Sequence, residues 1–264
     1  MRFLTRPRLY LYLFLWVLAV PARAATDHFY FAQMTDTHFG ADDNLERGRR
    51  LVELINQLPV PVEFVAHTGD ILADLILEPA VVDQTLEVMA GLQPPHFYVP
   101  GNHDLHKNDA DKALAVYLER FGPLVRSEEF GGVVAIFLYV ETLARDWPVF
   151  TGYDPLAELE KALKQAGDRP VLLFQHTPPV GGHFRNVIYP GWPAENRQRW
   201  EALVRGHNIK GIFTGHYHKD ELHWIGDVPL FVAPPVSGSW GRQGTFRLYE
   251  YRDGRVSYRT VYLP

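Results

Sequence analysis

The stretch Phe29-Tyr30-Phe31-Ala32-Gln33-Met34-Thr35-Asp36-Thr37-His38 decides the fold. Residues 29–34 read as a buried strand, and an Asp-x-His pair follows it at once. The same arrangement recurs down the chain. Asp70 follows residues 62–66, in His67-Thr68-Gly69-Asp70. Asn102, His103 and Asp104 follow residues 97–99, His176 follows residues 171–174, and His216 and His218 follow residues 209–213. Ligands in open α/β sheets gather beyond the carboxyl ends of strands. Five separate loops would therefore bring Asp, His and Asn to one edge.

Between these strands the apolar spacing changes to about 3.6 residues. Residues 45–58, 81–90, 110–121, 156–166 and 194–204 read as helices. Pro59, Gly91, Gly167 and Gly206 stop four of them. Residues 133–140 form a further strand. Beyond residue 219 the pattern is purely β, over about 221–224, 230–233, 245–251 and 256–262. Gly226-Asp227 and Asp253-Gly254 mark turns there. Alternating strands and helices predict an α/β core. The late run predicts a second, more antiparallel sheet. No linker, repeat or low-complexity tract divides residues 25–264, which read as one domain.

Residues 1–24 read differently. Arg2, Arg6 and Arg8 precede an apolar run over residues 9–20, and Pro21 and Ala22-Arg23-Ala24 follow. This is the layout of a cleaved secretory signal. Twelve apolar residues fall short of the roughly 20 that a membrane-spanning helix needs. The expected location is therefore secreted or periplasmic, with no transmembrane segment in the mature chain. The first 24 residues hold four Arg and no acid, so 22 basic residues would remain against 31 acidic ones, a net charge of about −9. An acidic protein is a poor trap for a long polyanion. Small phosphorylated substrates are the expected partners, and duplex nucleic acid is not. With no cysteine, disulfides are excluded and any metal must take nitrogen and oxygen ligands.

Taken singly, His38, His216 and His218 are ordinary surface or capping histidines, and Asp36 and Asp70 can cap helices. Together they form a mixed nitrogen and oxygen donor set that suits Mn, Fe or Zn. In extended backbone, residues two apart point the same way, so Asp36-x-His38 and His216-x-His218 can each converge. Gly69, Gly101 and Gly215 are expected to make the turns that aim the following side chains. His67 reads as a packed strand-end residue. The stretch 178–193, with His183, Arg185, Tyr189 and Trp192, reads as a loop that could cover substrate. His106 and Trp240 lie near the site in sequence without a defined role.

These blocks resemble the calcineurin-like metallophosphoesterases. The match is Asp36-x-His38, Gly69-Asp70, Gly101-Asn102-His103-Asp104, His176 and Gly215-His216-x-His218, all in family order. The resemblance implies a four-layer αββα sandwich with two mixed sheets. It implies two divalent metal ions: Asp36, His38 and His218 on the first, Asn102, His176 and His216 on the second, and Asp70 bridging. His103 would protonate the leaving group after attack by a hydroxide shared between the cations. Asp74 and Asp104 are both candidates to orient His103.

Three departures narrow the resemblance. No tyrosine follows Asp70, unlike the purple acid phosphatases. No Arg-Gly follows it, unlike the serine/threonine phosphatases. Leu105 and His106 stand where that subgroup carries arginine. The pattern is similar to the bacterial cyclic-nucleotide-phosphodiesterase-like branch, which implies hydrolysis of phosphate mono- or diesters of small molecules. A secreted nuclease of the same superfamily would need a basic groove. A non-catalytic metal-binding scaffold would have lost ligands, and none is lost here.

Overall fold

The computed structural model describes residues 28–105, 108–144, 148–181, 191–238 and 241–264. Residues 1–24, His106, most of the 178–193 loop and Trp240 lie outside the described residues. Two sheets carry the fold. The first holds β1 (His28–Met34), β2 (Val62–Thr68), β3 (His96–Val99), β10 (Thr245–Arg252) and β11 (Arg255–Tyr262), in the order β11-β10-β1-β2-β3. The second holds β4 (Val125–Phe130), β5 (Val133–Leu138), β6 (Val171–Phe174), β7 (Ile209–Thr214), β8 (Glu221–Ile225) and β9 (Val228–Val232), in the order β4-β5-β6-β7-β9-β8. Strands β1, β2 and β3 run parallel, as do β5, β6, β7 and β9.

Strand alternation builds the layers. On β1, Phe29 and Phe31 face the other sheet while Ala32 and Met34 face outward. On β5, Val133, Ala135 and Phe137 face inward, and Val134, Ile136 and Leu138 face outward. The outward face of the first sheet packs on α1 (Asn44–Asn56), α2 (Pro79–Met89) and α3 (Ala110–Arg120). The outward face of the second packs on α4 (Pro155–Ala166) and α5 (Ala194–Arg205). The result is the expected four-layer sandwich of helices, sheet, sheet and helices.

The space between the sheets is filled by rings. Phe31 stacks on Phe64 and Tyr249 within its own sheet, with centroids 5.1 and 4.9 Å away. It meets Phe174 and Phe213 of the other sheet edge-on, at 84° and 88°. Offset-stacked and edge-to-face contacts are the favoured aromatic geometries, so this layer sets the spacing of the two sheets.

The structure corrects two expectations. The late strands do not make a separate sheet. Strands β8 and β9 extend the second sheet through a parallel β7–β9 pair, and the β10–β11 hairpin pairs antiparallel with β1. The β10–β11 turn is the expected Asp253-Gly254, both with positive φ (50° and 75°), as a two-residue hairpin loop requires. Strand β4 had no sequence signal, because Arg126, Ser127, Glu128 and Glu129 leave it only two apolar residues. It is an edge strand, where charge is favoured, and Phe130 at its end stacks on Phe64. Among the described residues no helix is long and apolar enough to cross a membrane.

Candidate metal centre

The carboxyl ends of β1, β2, β3, β6 and β7 open on one edge of the sandwich, three from one sheet and two from the other. Side chains of Asp36, His38, Asp70 and His218 form one cluster, and Asp70, His176 and His216 form another. Within each, the potential ligand atoms lie within 4.8 Å of one another. Asp70 belongs to both. His218 Nε2 is 3.0 Å from Asp36 Oδ1, His176 Nε2 is 3.2 Å from Asp70 Oδ2, and His38 Nε2 is 3.9 Å from Asp70 Oδ2. Asn102 Oδ1 lies 3.3 Å from His176 Nε2, which adds it to the second cluster.

Local backbone makes this convergence possible. Asp36, His38, Asp70, His216 and His218 all have positive φ, between 44° and 70°. Asp and His tolerate this region better than most residues, yet each instance costs about 1–3 kcal/mol and such strain gathers at functional sites. The backbone offsets part of that cost: Asp36 N–H donates to Gly69 O, and His38 N–H to Asp70 O. Of the three glycines, only Gly69 has positive φ (96°). Gly101 and Gly215 serve close approach instead. A Cβ on Gly101 would overlap the backbone N and a carboxylate oxygen of Asp70, and one on Gly215 would overlap Thr35.

Each side chain is held from behind. Asp36 Oδ2 accepts from Thr35 Oγ1 at 2.6 Å and from His216 N–H at 3.1 Å. Asp70 Oδ1 accepts from His103 N–H at 2.8 Å. His176 Nδ1 donates to Thr68 O at 2.7 Å, which leaves Nε2 as the nitrogen facing Asp70. A ring nitrogen tied to a carbonyl is the usual support for a metal-binding imidazole. His67 is the packed strand-end residue expected. Its Nε2 meets Thr37 Oγ1 at 2.9 Å, and burial pushes it down to about 3.

The donors fit cations. Asp36 Oδ1 is buried and faces His218 Nε2 at 3.0 Å, so a proton on that nitrogen or a cation must answer its charge. His38 Nε2 and His218 Nε2 face each other at 3.2 Å, so they must share either a proton or a cation. Burial pushes His38 down, against the pull of Asp70 and Asp36, toward the neutral form that metal binding requires. Burial and the neighbouring His176 push His216 down to about 3. Burial opposes ionisation of Asp70, but His176, His103 and His38 outweigh it and hold Asp70 well below the carboxylate range. The second cluster thus carries negative charge that a proton on His176 or a cation must offset.

His103 and its two candidate partners separate cleanly. His103 Nδ1 is 2.9 Å from Asp74 Oδ2. Burial disfavours the imidazolium, but Asp70 and Asp74 outweigh it and raise His103 above its ordinary value. Asp104 does not orient His103. It is buried and accepts from the backbone N–H groups of Gly101, Ile71 and Leu72, at 2.8, 3.1 and 2.8 Å. It therefore ties the Asn102-His103 loop to the Asp70 loop as a structural anchor. Sequence reasoning missed Thr35, Gln33 and Glu141. Gln33 is a buried polar residue between Ala32 and Met34 of β1, a contrast that was the available signal, while Glu141 is a buried acid opening a short turn after β5.

A cleft of about 490 Å³ opens over the clusters, within the range of small-molecule sites. His38, Asp70, Asn102, His103, His216 and His218 line it, with Asp42, Asn44 and Asp74 at its side; among the described residues none of the lining is Lys or Arg.

Three strand ends of one sheet meeting two of another over a shared carboxylate is the arrangement of a dimetal phosphoesterase. The chain belongs to the calcineurin-like phosphoesterase family, whose model matches residues 29–220, and it is a hydrolase of that class. It is 33% identical over 223 residues to a probable cyclic nucleotide phosphodiesterase of Rhodopseudomonas palustris, covering 80% of this chain and 73% of that protein. It is 29% identical to a glycerophosphodiester phosphodiesterase of Enterobacter lignolyticus, covering 71% of this chain and 70% of that one. In fold it is similar to a dimetal phosphatase from Danio rerio (TM-score 0.60, 16% identity, 89% of this chain and 99% of the other).

Proposed function

We propose that this chain hydrolyses phosphate esters of small molecules, diesters among them, using two divalent cations and a histidine acid. One observation carries the reading: two donor clusters share Asp70 beside His103, whose Nδ1 is bound by Asp74, and each cluster reaches one cleft, through His38 and His218 and through Asp70 and His216. Asp36, His38 and His218 would hold one cation, Asn102, His176 and His216 the other, and Asp70 would serve both. Mn, Fe and Zn suit the donors. When bound, the cations supply the Lewis acidity that activates a water and neutralises phosphoryl charge. His103 holds the proton. With Nδ1 bound to Asp74, Nε2 is free to give its proton to the departing alkoxide, and Asp74 steadies the ring and its charge. Asp104, with Asp70 Oδ1 accepting His103 N–H, keeps the Asp70 and Asn102-His103 loops in register. The diester activities named for the relatives favour diesters.

The test uses protein stripped by a chelator. Hydrolysis of aryl phosphate mono- and diesters should vanish and return with Mn²⁺. Failure to cleave either ester under any divalent cation would overturn the reading. We further propose that residues 1–24 direct export and are removed. The N-terminus of the protein recovered from its native host should then begin near residue 25, and an intact Met1 would refute export with cleavage.

A further inference from the structure

We infer that Gln33 is a positioning residue for the second cation site, acting through a buried hydrogen-bond chain that joins the two sheets. The inference rests on the two-cation reading above. Gln33 lies on β1 with no exposed surface, inside the aromatic layer. A buried amide in such surroundings is costly unless every polar atom is paired, and here each is. Its Nε2 donates to Thr68 Oγ1 at 2.8 Å and to Thr214 O at 3.1 Å. Its Oε1 accepts from Tyr249 O–H at 2.8 Å. Tyr249 in turn accepts from Arg247 Nη1 at 3.1 Å, and Arg247 Nη2 reaches Asp220 at 2.5 Å. Tyr249 and Arg247 are themselves fully buried.

The partners matter more than the length of the chain. Thr68 ends β2, and its carbonyl receives His176 Nδ1–H. Thr214 ends β7, two residues before His216. Thr68 belongs to the first sheet and Thr214 to the second. A single amide thus pins the ends of two strands from different sheets, and each end sets the position of one imidazole of the second cluster. Apolar packing between the sheets fixes their spacing but permits sliding. Directional hydrogen bonds from one side chain to both sheets forbid it. Tyr249 removes the remaining freedom: its O–H needs an acceptor, so the amide oxygen must face it and both N–H donors must face the strand ends. The first cluster has other anchors. Asp36 Oδ2 accepts from Thr35 Oγ1, and His38 N–H donates to Asp70 O.

The test is Mn²⁺ binding to the full chain, followed by calorimetry and by electron paramagnetic resonance, in Gln33→Met and Tyr249→Phe. Outer partners of metal ligands are worth about 10- to 100-fold in metal affinity. Gln33→Met should weaken the second Mn²⁺ by that factor, leave the first within about twofold, and reduce the spin-coupled signal of a paired site. Tyr249→Phe, which keeps the ring and frees the amide to rotate, should weaken the second site by a smaller factor in the same direction. Thermal melts taken alongside separate stability from affinity. A lower melting temperature with unchanged dissociation constants would reduce Gln33 to a packing residue, and equal weakening of both sites would reduce it to general loosening. Either outcome overturns the inference. If Gln33→Met does not fold, Tyr249→Phe decides alone. If the unaltered chain binds no second Mn²⁺, the two-cation reading has failed first.

Discussion

Replacing His103 should separate leaving groups by their need for a proton. A positioned general acid contributes about 10²–10⁴ in rate, or roughly 3–5 kcal/mol. An alkoxide needs that proton and a nitrophenolate does not. His103→Ala should therefore lower kcat by about 10²–10⁴ on an alkyl diester and by less than about tenfold on its nitrophenyl analogue. Asp74→Asn probes the support behind it. The His103–Asp74 contact is 2.9 Å, but the side chains are 39% and 57% exposed, so solvent screening limits the pair to about 1 kcal/mol. That predicts a loss of about fivefold on the alkyl ester. The sign of the pH effect follows from His103 being raised, with burial opposing and Asp70 and Asp74 prevailing. The acid is present below its pKa and lost as pH rises through it, so Asp74→Asn should move the alkaline limb of the kcat profile to lower pH. Steady-state kinetics from pH 5 to pH 10 measure both, with about as many points on each limb. Equal losses of His103→Ala on the two esters would refute the acid role. An alkaline limb unmoved by Asp74→Asn would refute the support.

Other outcomes follow from the packing. Phe31→Ala removes the ring that contacts both sheets and should cost about 3–5 kcal/mol in urea unfolding; a loss under about 1 kcal/mol would mean the aromatic layer does not hold the sheets. Gly101→Ala would drive a methyl into the backbone of Asp70, and metal content measured by mass spectrometry should fall in a chain that still folds. Burial pushes the Glu141 carboxyl from 4.5 up to about 7, against the pull of His176 and the bonds from Thr177. A carboxyl raised in the folded state lends stability below pH 4.5 that is lost as pH climbs to about 7, a span worth on the order of 3 kcal/mol. In chelator, Glu141→Gln should therefore match the parent near pH 4 and exceed it near pH 8; the reverse order would show that the ionised carboxylate is favoured.

The strands that carry ligands, the residue types at their ends and their order are all legible along the chain before it folds. Those are local matters: apolar runs of period 2, Asp-x-His and His-x-His spacing, and glycines next to the ligands. The sequence could not show that Asp74, not Asp104, meets His103, because that choice depends on which of two nearby loops turns inward. Only the tertiary structure decided it, through three backbone amides that take up Asp104. Strand pairing was equally hidden. Nothing local in residues 245–252 indicates that they lie beside residues 28–33, since both faces of the match are aromatic and would pack against many partners. The role of Gln33 was invisible for the same reason. Its partners at 68, 214 and 249 are near only once two sheets close, and hydrogen bonds of fixed direction between distant segments are a property of the assembled core, not of any stretch of chain.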